Sequence, residues 1–192
     1  MEQLTKEQEI IKLLFKDFLT YHNSRTISKV IGISHAGAFK ILKKLEKRDI
    51  VRPKRIGKAI IYSLNLENPI TNKGIEMALV IEAQNFRRWV EEFKELEDHV
   101  RFVILFGSIT RNEKEASDID ILIVINKGKY ENVNKIIEKK QSILPKRIHS
   151  LIQIPKDFKH DINKKNKAVV EILKTGIILY GQEELRRIMK LK

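Results

Sequence analysis

Two apolar runs lie close together in this chain, and what separates them limits the fold more than any other feature. The first, Phe102 to Phe106, stops at Gly107-Ser108, and the second, 121–125, is entered through Ser117-Asp118-Ile119-Asp120. Runs of this kind predict buried strands, here over 100–106 and 119–125. A strand that ends in Gly-Ser with a helical turn behind it forms a corner suited to an anion. Glycine lets the anion approach the backbone, and N–H groups at the start of a helical turn favour negative charge. Ser108 adds a hydroxyl donor, and Arg111 a cation one turn later. Strand side chains alternate, so Asp118 and Asp120 point to one face. Two carboxylates aimed together beside an anion cradle repel each other unless a cation lies between them. Mg²⁺ meets that need, because it takes one or two carboxylates together with substrate phosphates.

Helical and extended periods alternate through the rest of this region. Residues 131–144 read as a helix, with Val133, Ile136, Ile137 and Ile143 on its apolar side and Pro145 ending it. Residues 147–154 alternate as a third strand. A short helix near 156–162 follows, then a longer one over 167–174 closed by Gly176, and a last extended piece at 177–179. The pattern predicts a mixed α/β domain over 100–192. Before it, Ile75, Leu79, Ala83, Phe86, Val90 and Phe93 recur at helical spacing, with Trp89 extending the face. That helix either packs on the second domain, joins two domains, or pairs with a second copy to make a homodimer. Residues 65–73, with Asn68-Pro69, are the expected linker, so 67–99 is assigned to linker and connecting helix.

The N-terminal part carries most of the excess charge. The chain has 192 residues and a net charge of +13, and residues 1–73 hold 15 Lys+Arg against 7 Asp+Glu. Within 40–58 nine basic residues face two acidic ones, Glu46 and Asp49, a block that suggests a polyanionic partner. Thr5 and Gln8 have the spacing of a capping box, and Ile10, Ile11, Leu14, Phe18 and Tyr21 continue a helix over 6–22. A short helix from Thr26 stops at Gly32, and Ser34 can cap a third helix running to Lys47. Ala38, Phe39, Leu42 and Leu45 form its expected inward stripe. Strands at 50–52 and 59–64 then flank Gly57 as a hairpin.

Composition bounds the rest. With 42% hydrophobic and 33% charged residues the chain is too apolar to be disordered, and its lack of cysteine excludes disulfides and thiolate chemistry. Its longest apolar runs fall far below the roughly 20 residues of a membrane span, and the polar first residues lack the order of a signal peptide. A cytoplasmic protein with no membrane partner is the expectation.

Helix, short helix, tight turn, basic helix and basic-tipped hairpin over 5–66 resemble a winged helix-turn-helix. The resemblance implies a small, mainly helical DNA-binding domain over 1–66. Ser34, His35, Lys40, Lys43 and Lys44 would face DNA from the third helix, and Arg55 and Lys58 from the wing. The residues from Val100 to Ile125 closely resemble, and the rest of the second domain loosely resembles, the nucleotidyltransferase superfamily that includes DNA polymerase beta, and most closely its minimal nucleotidyltransferase branch. That resemblance implies an α/β (α+β) mixed sheet with flanking helices that transfers a nucleotidyl group from Mg-ATP, or another nucleoside triphosphate, to an acceptor hydroxyl. Asp118 and Asp120 would hold one or two Mg²⁺, Gly107 and Ser108 would bind phosphates, and Arg111 would assist pyrophosphate departure. Relatives of this branch often act as antitoxins that nucleotidylate a toxin-like partner protein, and others modify small molecules. Two positions depart from the family pattern. Asn112 stands where glycine is common, and 147–154 lacks the usual third carboxylate, with His149 a candidate base in its place. A regulator whose inactive transferase-like domain senses nucleotide or metal is the alternative.

Overall fold

The computed structural model describes residues 3–190, and the chain divides between Ile81 and Glu82 into two compact units. The first contains α1 (Lys6–Lys16), α2 (Ser24–Ile31), α3 (His35–Lys47), β1 (Val51–Ile56), β2 (Ala59–Leu64) and most of α4 (Pro69–Gln84). The capping box at Thr5 and Gln8 opens α1 as expected. The helix ends at Lys16, short of the predicted 22. Asp17 turns inward instead and accepts from the Thr20 hydroxyl at 2.7 Å, with His22 Nε2 at 3.1 Å, which leaves Tyr21 73% exposed. Ala38, Leu42 and Leu45 on α3 are fully buried. Phe39 departs from the predicted stripe. It lies one position off that face, is 44% exposed, and sits 5.8 Å beneath the Lys43 ammonium. β1 and β2 pair antiparallel, with Ile56 opposite Ala59 at the tip.

The expected linker is mostly helix. Asn68 Oδ1 accepts from Ile70 N at 2.8 Å and Pro69 occupies the first helical position, where its missing N–H costs nothing. Only 65–68 remain outside a helix or strand. The long helical pattern is also interrupted. Residues 85 and 86 bond back three residues rather than four, so α4 ends at Gln84 and a short α5 (Arg87–Glu92) follows.

The second unit continues with a 3-10 turn (Lys94–His99), β3 (Phe102–Phe106), a second 3-10 turn (Ser108–Thr110) and β4 (Asp118–Val124). Then come α6 (Tyr130–Ile143), β5 (Arg147–Gln153), α7 (Pro155–Asn163), α8 (Lys167–Thr175), β6 (Ile177–Tyr180) and α9 (Gln182–Ile188). The sheet has the order β5-β4-β3-β6. β3 runs antiparallel to both β4 and β6, and β4 runs parallel to β5. It is therefore a mixed sheet with flanking helices, as predicted. Val103, Leu105, Ile119, Ile121, Ile123, Ile148, Ile177 and Leu179 form one core with Trp89, Phe93, Leu96 and Val133. By strand alternation Phe102, Ile104, Leu122 and Val124 take the other face, where the Phe102 and Phe158 rings meet edge-on at 5.0 Å. Helix α9 was not read from the sequence. Gly181 admits it, with φ +74 and a backbone so close to Arg101 that a Cβ would fall 1.9 Å from its carbonyl oxygen. No helix among the described residues is long and apolar enough to cross a membrane.

Candidate active site

β3 and β4 position the acid pair. Phe106 lies opposite Asp120 in the antiparallel register, so the strand that ends at Gly107 delivers that glycine to the Asp120 carboxylate. Gly107 has φ +81, and a Cβ there would stand 2.2 Å from Asp120 Oδ2. Glycine is required at this corner on both counts, by conformation and by space. The turn behind it is closed by Thr110 Oγ1 donating to Gly107 O at 2.9 Å and Arg111 N donating to Ser108 O at 2.9 Å. Ser108 and Arg111 stand exposed, and Arg111 pairs with no carboxylate among the described residues.

Asn112 organises the loop between the strands. Its backbone N–H donates to Ser108 O at 3.0 Å, its carbonyl accepts from Ala116 N at 3.1 Å, and its side chain accepts from Lys114 N at 3.2 Å. Ala116 is buried, and Lys146 at the foot of β5 donates to its carbonyl. Asp118 then enters β4 half-buried, with Oδ2 accepting from the Ser117 hydroxyl at 2.6 Å. Asp118 and Asp120 share the face of β4 opposite the Trp89 core, and neither forms an ion pair with Lys or Arg among the described residues.

β5 supplies the third side of the corner. Its parallel register sets Arg147 beside Asp118 and His149 beside Asp120, and His149 Nδ1 stands 3.4 Å from Asp120 Oδ1. Phe106, Asp120, Ile148, His149, Ser150 and Leu151 line an open recess of about 400 Å³. A second recess of about 230 Å³ borders Arg111 and is lined by Phe86, Arg88, Trp89, Ile109 and Glu113 among others. Behind the sheet, Tyr180 donates its hydroxyl to Val90 O and ties β6 to α5. Burial, with Glu97 and Glu91 adding, pushes that hydroxyl up to about 12.

The residues fit a divalent cation. A pair of hard oxygen donors without a Lys or Arg partner among the described residues shares one face, beside a glycine whose missing Cβ leaves room for the Asp120 carboxylate. Among the described residues no three acidic or histidine side chains are already gathered around one point.

The basic residues of the first unit fall into two groups. Lys43 pairs with Glu46 at 2.8 Å, and Lys44 pairs with Glu7, which also takes Arg48 at 3.2 Å. The bond from Glu46 holds the Lys43 ammonium above its ordinary range. Ser34 caps α3 by accepting from Gly37 N at 3.0 Å, and the His35 ring lies 2.8 Å from the Ser24 hydroxyl. Lys40, Arg55 and Lys58 are exposed and pair with no carboxylate among the described residues.

Residues 86–179, all within the second unit, match the family described as a nucleotidyltransferase domain. The match begins earlier than the predicted domain start at 100 and takes in α5. Families of this kind use a nucleoside triphosphate and a divalent metal. No curated protein matches the chain. Among solved structures the chain is similar to a mutant of Lactococcus lactis ZitR in complex with DNA, at 19% identity and TM-score 0.34, over 50% of this chain and 62% of that one. Wild-type ZitR in complex with DNA gives 21% identity and TM-score 0.32 over the same shares. Another ZitR mutant gives 15% and 0.33 over 74% and 79%. The chain thus spans less than two thirds of the length of the first of these, and scores of this size bring neither a fold nor a ligand to it.

Proposed function

We propose that the second unit is a nucleotidyltransferase of the minimal branch and that the first is a winged helix that binds DNA. The observation that carries the first reading is the meeting of Gly107 with the Asp120 carboxylate, which joins the acid pair and the phosphate corner in one site. Asp118 and Asp120 would hold one or two Mg²⁺. A divalent ion bound there supplies charge neutralisation for the triphosphate. Gly107 leaves the backbone open to the phosphates, Ser108 donates to them, and Arg111 offsets the charge of the departing pyrophosphate. The acceptor oxygen forms its bond to the α-phosphorus as the α–β bridging bond breaks, and the hydroxyl proton is released. Holding the two reactants in line contributes most of the acceleration. The acceptor is a hydroxyl, with that of a toxin-like partner protein among the candidates.

Incubation with Mg²⁺ and labelled ATP tests this reading through pyrophosphate release and label transfer, with Asp120→Asn as the control. Failure to bind any nucleoside triphosphate would overturn it.

One observation favours a second reading. No carboxylate stands on β5 beside the acid pair, so the unit is also suited to sensing nucleotide for the DNA-binding unit without turnover. Binding of Mg-ATP without pyrophosphate release, together with a change in DNA affinity, would select it.

The order of α1, α2, α3 and the β1–β2 hairpin supports the winged-helix reading, as do exposed Lys40, Arg55 and Lys58. Contacts of this kind go to phosphates, so they provide affinity rather than base choice.

A further inference from the structure

We infer that His149 is a ligand of the metal site and adapts it to a divalent transition ion that accepts nitrogen, in preference to Mg²⁺. This rests on the reading of Asp118 and Asp120 as the metal-holding pair. β5 is the strand beside the acid pair, and over Arg147–Gln153 it carries no Asp or Glu. The parallel register aligns His149 with Asp120, and alternation puts both side chains on one face. Both line the same open recess, at 47% and 28% side-chain exposure, so each can be reached from solvent.

The distance between them matters. His149 Nδ1 stands 3.4 Å from Asp120 Oδ1, beyond the usual reach of an N–H···O hydrogen bond. Two ligands each about 2.1 Å from one ion, at the angles of tetrahedral or octahedral coordination, stand about 3.0–3.4 Å apart. The pair therefore has the spacing of neighbouring ligands and makes a poor hydrogen bond. No Lys or Arg neutralises the Asp120 carboxylate among the described residues, and its other oxygen, Oδ2, takes the space that a Cβ on Gly107 would occupy. Phosphate and water oxygens would fill the remaining places, with Asp118 on the same face of β4. Imidazole nitrogen is a borderline-soft donor that first-row transition ions accept readily, whereas Mg²⁺ prefers oxygen. Exchanging a carboxylate for histidine at this place weakens the site for Mg²⁺ and favours the transition ion.

Mn²⁺ binding to the full-length chain, followed by electron paramagnetic resonance, tests the inference. Pulsed measurement should detect a directly coordinated ¹⁴N in the wild type. The chain has five histidines, so His149→Ala must abolish that coupling to identify the source. The same variant should weaken Mn²⁺ by about 10-fold or more and shift Mg²⁺ far less. His149→Asp should bind Mn²⁺ without nitrogen coupling and bind Mg²⁺ more tightly than the wild type does, which also guards against a variant that fails to fold. Bound Mn²⁺ without ¹⁴N coupling overturns the inference and leaves the metal-nucleotide reading standing. So does coupling that survives in His149→Ala, or an equal loss of both ions. Failure of the wild type to bind Mn²⁺ or Mg²⁺, with or without ATP, overturns both.

Discussion

The β3–β4 corner and helix α3 treat charge in opposite ways. At the corner Asp118 and Asp120 share a face with no Lys or Arg partner among the described residues, and Arg111 stands without a carboxylate. On α3 two of the three lysines singled out in the sequence are already committed, Lys43 to Glu46 and Lys44 to Glu7, while Lys40 pairs with no carboxylate among the described residues. Carboxylates that share a face without a Lys or Arg partner favour a ligand of the opposite sign, in keeping with the proposed metal site. Exposed pairs such as Lys44–Glu7 contribute little to stability and are screened by salt, yet they lower the field a polyanion meets. A count of lysines alone therefore overstates the unpaired charge on α3, and the unpaired cations among the described residues include Lys40 and, at the hairpin, Arg55 and Lys58.

The strongest way to break this contrast is at the acids. Asp120→Asn should reduce nucleotidyl transfer by about 10³-fold or more, read as pyrophosphate release, while thermal unfolding stays at or above the wild-type midpoint because a repulsive charge is gone. Gly107→Ala comes next. The new Cβ must displace the Asp120 carboxylate, so transfer should fall about 10²-fold. The backbone of the same residue, at φ +81 and ψ −156, lies in a region essentially reserved for glycine, so the substitution should also cost about 1–3 kcal/mol in urea denaturation. An alanine variant with full activity would show that the glycine–carboxylate contact is incidental.

Smaller effects test the basic face. Lys40→Ala and Arg55→Ala should each weaken binding to duplex DNA regardless of sequence and reduce the salt slope of log K by about 1. Lys44→Ala should change that slope less, because Glu7 already neutralises its charge. Smallest of all, Glu7→Gln should tighten DNA binding by about 2- to 3-fold at low salt and lose the gain at high salt, by releasing Lys44 and Arg48. If Lys44→Ala instead outweighs Lys40→Ala in a fluorescence-anisotropy titration, the contrast between paired and unpaired lysines is wrong.

Much of the second unit was legible because its signals are local. The runs at β3 and β4, the helix after them and the alternating β5 all appear within a residue or two of their predicted ranges. Gly107, Asp118 and Asp120 could be named because glycine after an apolar run and acids two apart keep their meaning whatever lies around them. Misreadings came where a local pattern had two uses. Asn68-Pro69 is chain punctuation in a loop and equally a cap with proline at the first helical position. Spacing by threes and fours carried the predicted helix on through Phe86, where the backbone tightens and restarts as α5. The short helix α9 has no side-chain cap, so it left little to find.

The amino-acid order by itself determined which faces are apolar, where the chain turns and which residue types stand at the corner, since each follows from the backbone's own periods of about 3.6 and 2 residues. Only the tertiary structure decided what those residues meet. Strand register brought Gly107 against Asp120 and set His149 beside it. Packing within the first unit brought Glu7 to Lys44, 37 positions away, and left Phe39 outside its core. Such pairings depend on which distant surfaces bury one another, and no window along the chain contains both partners.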